Sequence, residues 1–468
     1  MEIDKIREER QIEGVRIWVK TGCNGTLFYA TGVGKTYVGI LAIKRIELHR
    51  KPLYLIAVPS FEIKKQWEDK LNAVFNKTTM SRILVETVHT ILTRETIYKD
   101  VVLIVDEAHD FATEERIKVL NGTLVKPLAV LCLTASADDK NYWKVSKYAP
   151  IVDTITEEEA REKGFIEEFV EYNLSLSLTA EEQEQYDKHS EIIKEYLPKF
   201  NNDLSLTNRC LAGGKDPKGT QYYSASSWCY AVAVKKGWSP DLNLAKEEHM
   251  TINDNWHPEK VVSYANRLMR AVRNRKDLLH SAKSKLLATT LLLNKFNEVK
   301  TIVFSEATSF ADEVFEEVKN YHKAVIYHSN LKTIIEASPK TGKPIKIGAL
   351  RRKRRAIEDI RNGTARVIIT SKALDKGFDV VDLRMGITAS GSQNPTQYKQ
   401  RGGRLKRKEQ NIFDDTTVLL VNLYIKGTQD EKWLSARQKN STHKIIAISS
   451  LEEIDFKPKS NGEFIVNK

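Results

Sequence analysis

Short apolar runs with no polar alternation recur along this chain, and they constrain its fold more than any other feature. In the first third they are Thr26–Ala30, Leu53–Val58, Val101–Val105 and Leu128–Leu133. A strand wetted on one face alternates apolar and polar residues, whereas a strand covered on both faces does not. These runs therefore read as strands of a parallel sheet packed between helices. The same grammar returns at Thr301–Ser305, Lys323–His328, Arg366–Thr370 and Thr417–Tyr424, which predicts a second sheet of the same kind. Between the two, from about Thr156, the strand signal fades. Leu178–Tyr196 opens with Thr179 and, three residues on, Glu182, a capping box that starts a helix. Asn208–Thr220 is rich in glycine and lysine and reads as a loop. Val261, Tyr264, Ala265, Leu268 and Val272 form a helical apolar stripe, with Arg267, Arg270 and Arg273 off it. The expected class is α/β, with residues 1–155 and 285–468 as sheet domains and 156–284 as a mostly helical accessory segment. Three domains suit 468 residues at about 150 residues each.

The sharpest chemical signal is Ala30-Thr31-Gly32-Val33-Gly34-Lys35-Thr36, placed after the first apolar run and before a helical pattern. Glycines let backbone N–H groups point at phosphates, and the helix N-terminus adds its dipole. Lys35 then reaches the β- and γ-phosphates of a nucleotide and Thr36 holds Mg²⁺. One position departs from the strict pattern, since Tyr29 stands where the first glycine is wanted. Further on, Val101–Val105 ends in Asp106-Glu107-Ala108-His109. A carboxylate at the end of a buried strand is costly unless a cation or a reaction uses it. Asp106 suits a Mg²⁺ ligand and Glu107 suits orienting an attacking water. A third signal is Gln400-Arg401-Gly402-Gly403-Arg404-Leu405-Lys406-Arg407, whose guanidinium groups suit a γ-phosphate in the transition state.

Net charge decides among partner classes. Lysine plus arginine exceed acidic residues by 12, with a pI near 9.2, which favours a polyanion, either nucleic acid or an anionic membrane surface. No apolar run approaches the ~18 residues of a membrane span, and the N-terminal stretch has no apolar core of a secretory signal. Four cysteines in this length make no disulfide framework, so a reducing, cytoplasmic setting is expected.

Taken in order, ATGVGKT, DEAH, Thr134-Ala135-Ser136 and QRGGRLKR resemble the superfamily 2 helicases and translocases, from Gln11 to about Arg437. Val58-Pro59-Ser60 with Gln66-Trp67, and Thr87-Val88-His89-Thr90, look like the strand-binding motifs of the first domain. Ile302–Ser305, Tyr327–Ser329 and Thr370–Asp379 look like the motifs of the second. Gly164-Phe165, Leu178-Thr179 with Glu181-Glu182, and Gly427-Thr428 with Asp430-Glu431 are similar to compact DEAH-box DNA translocases of the XPB and bacteriophage type.

The resemblance implies two RecA-like domains closing on ATP and Mg²⁺. Thr31, Gly32, Val33, Gly34, Lys35, Thr36, Asp106 and Glu107 would come from the first domain. Gln400, Arg404 and Arg407 would reach over from the second as sensors and arginine fingers, Asp379 would lie at the ribose, Gly377 would join the nucleotide site, and Gln11 looks like the adenine reader. Nucleic-acid contacts are implied at Pro59, Ser60, Thr87, His89, Thr90, Ser305, His328, Thr370, Ser371 and Lys372, and expected at Arg267, Arg270 and Arg273. The partner expected is DNA, single-stranded, forked or branched, in a bacterial or phage-infected cell, with no membrane partner and the oligomeric state left open. RNA is the alternative substrate, and an ATP-controlled clamp or sensor the alternative activity.

Other features read more plainly. Arg351–Arg355 starts a helix before Gly363, with a nuclear targeting run or a cationic face toward phosphates as alternatives. Cys132 is core, and Cys210, Cys229 and His249 lack the C-x-x-C pair of a zinc site. Trp228, Trp238 and Trp256 read as buried packing ahead of base stacking.

Overall fold

A computed structural model describes residues 2–94, 97–136, 141–166, 169–212, 224–238, 256–337, 342–371, 383–405, 418–439, 441, 443–458 and 464–466. By internal contacts the chain divides into two compact units, Ser177–Lys285 and the remainder, Met1–Leu176 with Leu286–Lys468.

The larger unit holds two parallel sheets, one in each of two lobes. The first lobe contains β1 (Asn24–Tyr29), β2 (Leu53–Val58), β3 (Ile83–Thr87), β4 (Tyr98–Asp106), β5 (Val125–Thr134) and β6 (Ile151–Ile155). They lie in the order β3-β2-β4-β5-β1-β6, every pair parallel. Leu55 and Leu103 face one apolar layer while Ile56 and Ile104 face another, which is why the runs show no polar alternation. The second lobe contains β7 (Phe169–Leu176), β8 (Thr301–Ser305), β9 (Ala324–His328), the hairpin β10 (Ile334–Ala337) and β11 (Pro344–Ile347), β12 (Val367–Ser371), β13 (Met385–Thr388), β14 (Val418–Ile425) and β15 (Ile445–Ile448). Seven of these form a parallel sheet in the order β15-β7-β14-β13-β8-β12-β9, again with an apolar layer on each face.

The expected boundary at Thr156 needs correction. β7 crosses into the second sheet between β14 and β15, so the helical unit begins at Ser177. Residues 169–176 read FVEYNLSL, and the alternating Glu171, Asn173 and Ser175 hid the strand. Glu171 is nevertheless fully buried, because polar side chains from distant parts of the chain meet it there.

The helical unit is built from Ala180–Tyr196, Leu204–Ala212, Ala225–Lys235 and Pro258–His280. Its first helix carries the expected capping box: Glu182 N–H donates to Thr179 Oγ1 at 3.3 Å, and Thr179 N–H to Glu182 Oε2 at 3.0 Å. Cys210, Cys229 and Trp256 belong to its core, where burial pushes both thiols up to about 11. Trp256 Nε1–H donates to the Cys229 carbonyl at 3.1 Å, and Trp228 Nε1–H to the Lys199 carbonyl at 3.2 Å. Trp238 departs from the buried reading at 42% exposure. His249 lies outside the described residues. In the second lobe Arg351–Arg355 lies in the first turns of the Ala349–Arg361 helix, ahead of Gly363. Among the described residues no helix is long and apolar enough to cross a membrane.

Candidate active site

β1, β4 and β5 are neighbours, so their C-terminal ends bring three segments distant in sequence to one edge of the first sheet. After β1 the chain turns through Gly32 and Gly34, at φ +97° and +91°, into the helix Lys35–Glu47. These left-handed conformations suit glycine and aim backbone N–H groups outward from the helix start. Lys35 is nearly buried, its Nζ donating to the Tyr29 carbonyl at 3.5 Å, and Thr36 follows in the first turn. The irregular Tyr29 now has an explanation. Its ring fills the core and its hydroxyl donates to Asp153 Oδ2 at 2.5 Å, while Arg10 grips the same carboxylate. Gln11 is buried and its Nε2 donates to the Val33 carbonyl at 2.6 Å. That amide nitrogen holds the loop's backbone, a role the reading as adenine reader did not include.

Asp106 ends β4, buried, with both oxygens engaged. Trp67 Nε1–H donates to Oδ2 at 2.7 Å and Glu107 N–H to Oδ1 at 2.9 Å. Burial, reinforced by the adjacent Glu107 charge, pushes the Asp106 carboxyl up to about 6, against the pull of Trp67 and Lys35. Such a group gains from a cation, and oxygen donors at Asp106 and Thr36 have the chemistry to hold Mg²⁺. Trp67 reaches it from the helix Phe61–Val74, across Gly39, where any Cβ would come within 2.4 Å of the indole. The sequence reading grouped Trp67 with strand binding; the structure gives its N–H to Asp106. A buried indole N–H requires an acceptor, and that was the available signal. Glu107 follows at φ +48°, a strained backbone for a non-glycine residue, of the kind that collects at reactive sites.

His109 links this edge to the second lobe. Its Nδ1 lies 3.1 Å from Thr134 Oγ1. The threonine hydroxyl donates its one hydrogen to the Ser136 carbonyl and accepts from Ser136 N–H. That arrangement suits donation from His109 Nδ1, and its Nε2 lies 3.5 Å from Gln400 Nε2. Gln400 lies on the second-lobe helix Pro395–Leu405. Three residues on, a Cβ at Gly403 would stand 2.2 Å from Thr31 Cγ2, so only glycine permits this approach. Arg401, between them, is turned inward onto Glu306 at 2.8 Å. Arg404 falls on the same helix, its side chain outside those described, and Arg407, Gly377, Asp379 and Lys372 lie outside the described residues.

Two family models match the chain: the "Type III restriction enzyme, res subunit" over residues 3–139 and the "Helicase conserved C-terminal domain" over residues 282–409. The chain belongs to the superfamily 2 helicases and translocases, which are ATP-driven enzymes. Among curated proteins it is similar to the "DNA 3'-5' translocase XPB2" of Sulfurisphaera tokodaii, 25% identical over 93% of this chain and 85% of the relative. Among solved structures the Hef helicase domain of Pyrococcus furiosus shares its fold at TM-score 0.50 and 16% identity, covering 91% of this chain and 98% of that one.

The residues implied as strand-binding separate into two groups on this helicase scaffold. In the first lobe Pro59 and Ser60 are half-buried before the Phe61–Val74 helix, and Thr87, His89 and Thr90 sit at the start of Val88–Thr93, with His89 exposed. In the second lobe the corresponding side chains point inward. Ser305 Oγ–H donates to the Ala307 carbonyl at 2.8 Å, and His328, fully buried, lies 2.9 Å from Asp312 Oδ1. Thr370 and Ser371 are buried, their hydroxyls without a hydrogen-bond partner among the described residues. These four side chains offer no surface to a passing strand. They lie inside because β8, β9 and β12 are interior or doubly covered. In the helical unit Arg267, Arg270 and Arg273 are all exposed, Arg267 lying 5.3 Å over the Tyr196 ring.

Proposed function

We propose that this protein is an ATP-dependent DNA translocase or helicase moving 3'-to-5', acting in DNA replication, recombination or repair in a bacterial or phage-infected cell. The observation that carries the reading is the chain Gln400–His109–Thr134, which joins a second-lobe helix to the loop beside Asp106 and Glu107. The similarity to a relative named as a DNA 3'-5' translocase supports DNA and polarity, and an excess of 12 positive charges supports a polyanionic track.

In this reading the loop Thr31–Thr36 and Lys35 cradle the ATP phosphates, and Thr36 and Asp106 hold Mg²⁺, which neutralises phosphate charge when bound. Glu107 orients the attacking water. Gln400 registers the state of that edge through His109, and Arg404 and Arg407 stabilise the transition-state charge. Pro59, Ser60, Thr87, His89 and Thr90 take phosphates of the track. Arg267, Arg270 and Arg273 grip duplex or branched DNA from the helical unit.

ATPase rates measured in parallel with single-stranded, duplex and forked DNA and with RNA test this. DNA should stimulate turnover, and affinity should fall steeply with salt. Stimulation by RNA alone would overturn the DNA assignment, and stimulation without movement on any DNA would make the protein a clamp. Reversing the charge of Arg267, Arg270 and Arg273 together should weaken forked-DNA binding while sparing DNA-independent ATPase activity.

A further inference from the structure

A buried carboxylate lies behind the Pro395–Leu405 helix, unused by the chemistry above. Glu171, on β7, is fully buried and receives four donors from four separate parts of the second lobe. Its Oε1 accepts from Asn422 Nδ2 on β14 and from Gln438 Nε2, the latter at 2.6 Å, on the helix Gln429–Gln438. Its Oε2 accepts from the Tyr398 hydroxyl and from His443 Nε2. Burial works to raise its pKa, but the hydrogen bonds from His443 and Tyr398 hold the carboxyl below its usual range. Four donors saturate a carboxylate's acceptor sites.

Stability alone does not account for such a group. Replacing a buried charged cluster by apolar side chains of similar volume is often neutral or stabilising. The geometry of Tyr398 supplies another reason. It precedes Gln400 by two residues, which is about 200° around a helix. Tyr398 therefore faces the sheet while Gln400 faces His109. A second buried anchor, Arg401 on Glu306 at 2.8 Å, acts on the next turn of the same face.

We propose that Glu171, through Tyr398 and with His443, Asn422 and Gln438 around it, is a positioning residue that sets the Pro395–Leu405 helix at the height where Gln400 meets His109 and Arg404 serves the phosphates. The proposal rests on the reading of Gln400 and Arg404 as second-lobe participants in hydrolysis. Glu171 touches no nucleotide; it fixes the helix that does.

Tyr398→Phe removes one hydroxyl, and Glu171→Gln keeps the shape but turns an acceptor toward donors into a donor. Both should lower DNA-stimulated kcat, Glu171→Gln by about 10- to 100-fold, as expected for a small misplacement of a catalytic group. KM for ATP should stay within roughly twofold, the signature of an interaction lost only in the transition state. Hydrogen exchange should quicken at residues 398–405 and stay unchanged in the Phe61–Val74 helix. Tyr398→Phe should melt within a few degrees of the parent, so it remains informative if Glu171→Gln does not fold. Parental kcat and parental exchange in Tyr398→Phe would overturn the proposal, as would a kcat loss matched by the unfolded fraction. Faster exchange in a protein whose parent hydrolyses no ATP would leave Glu171 as the seat of the helix and refute the proposed function instead.

Discussion

The two lobes expose the same kind of edge, the C-terminal ends of parallel strands, yet they hold their working side chains by different means. In the first lobe the placement is local. Lys35 is set by the glycine turn before its helix, Asp106 by the end of β4, and Glu107 by its own left-handed backbone. In the second lobe Gln400 and Gly403 ride on a helix whose seat is decided far away, by Glu306, 95 residues from Arg401, and by Glu171, 227 residues from Tyr398. A locally placed group survives as a recognisable motif. A group placed by buried long-range pairs depends on the whole lobe being folded.

Lys35→Ala gives the largest effect expected. It should abolish ATP hydrolysis and leave the fold intact, because in the proposed function the lysine serves a phosphate cradle; near-normal turnover would remove the first lobe's edge from the chemistry. Arg404→Ala and Arg407→Ala test the other side of the comparison. Nucleotide should still bind the first lobe while turnover falls by ~10³–10⁵, the worth of an arginine supplied across an interface. A drop of only a few-fold in either variant would show that arginine is no finger.

Gly403→Ala probes the junction itself. The added methyl, 2.2 Å from Thr31 Cγ2, must push the helix off the phosphate loop, and kcat should fall by about 10- to 100-fold with ATP binding retained. Unchanged kcat would mean that turnover does not need this approach. Trp67→Phe should have the smallest effect, confined to the first lobe. It leaves Asp106 Oδ2 without its indole donor, a loss of about 1.5–3 kcal/mol in stability for a bond to a charged group. The denaturant midpoint measures it, and a midpoint equal to the parent's would show that this bond contributes nothing.

Much of the candidate site's local geometry was legible because its parts are short and contiguous. Thr31–Thr36 needs only glycines at φ values near +90° and a helix start, both written in adjacent residues. Asp106-Glu107-Ala108-His109 is likewise set by the end of a buried strand. Trp67 was legible as a residue but not as a partner, since nothing in a pattern says which acceptor an indole will find. The inward turn of Ser305, His328, Thr370 and Ser371 escaped the reading for a related reason: a motif names residue types, and burial on both faces of the sheet decides which way they point.

The amino-acid sequence by itself determined two parallel sheets, the glycine turn ahead of Lys35 and the acidic strand end, because each depends on interactions within a few residues or on the hydropathy of one strand. Only the tertiary structure decided that β7 belongs to the second sheet and that Glu171 is buried there. The residues that satisfy it, Tyr398, Asn422, Gln438 and His443, lie 227 to 272 residues along the chain. A carboxylate's tolerance of burial is a property of the donors around it, and those donors assemble only when the sheet closes.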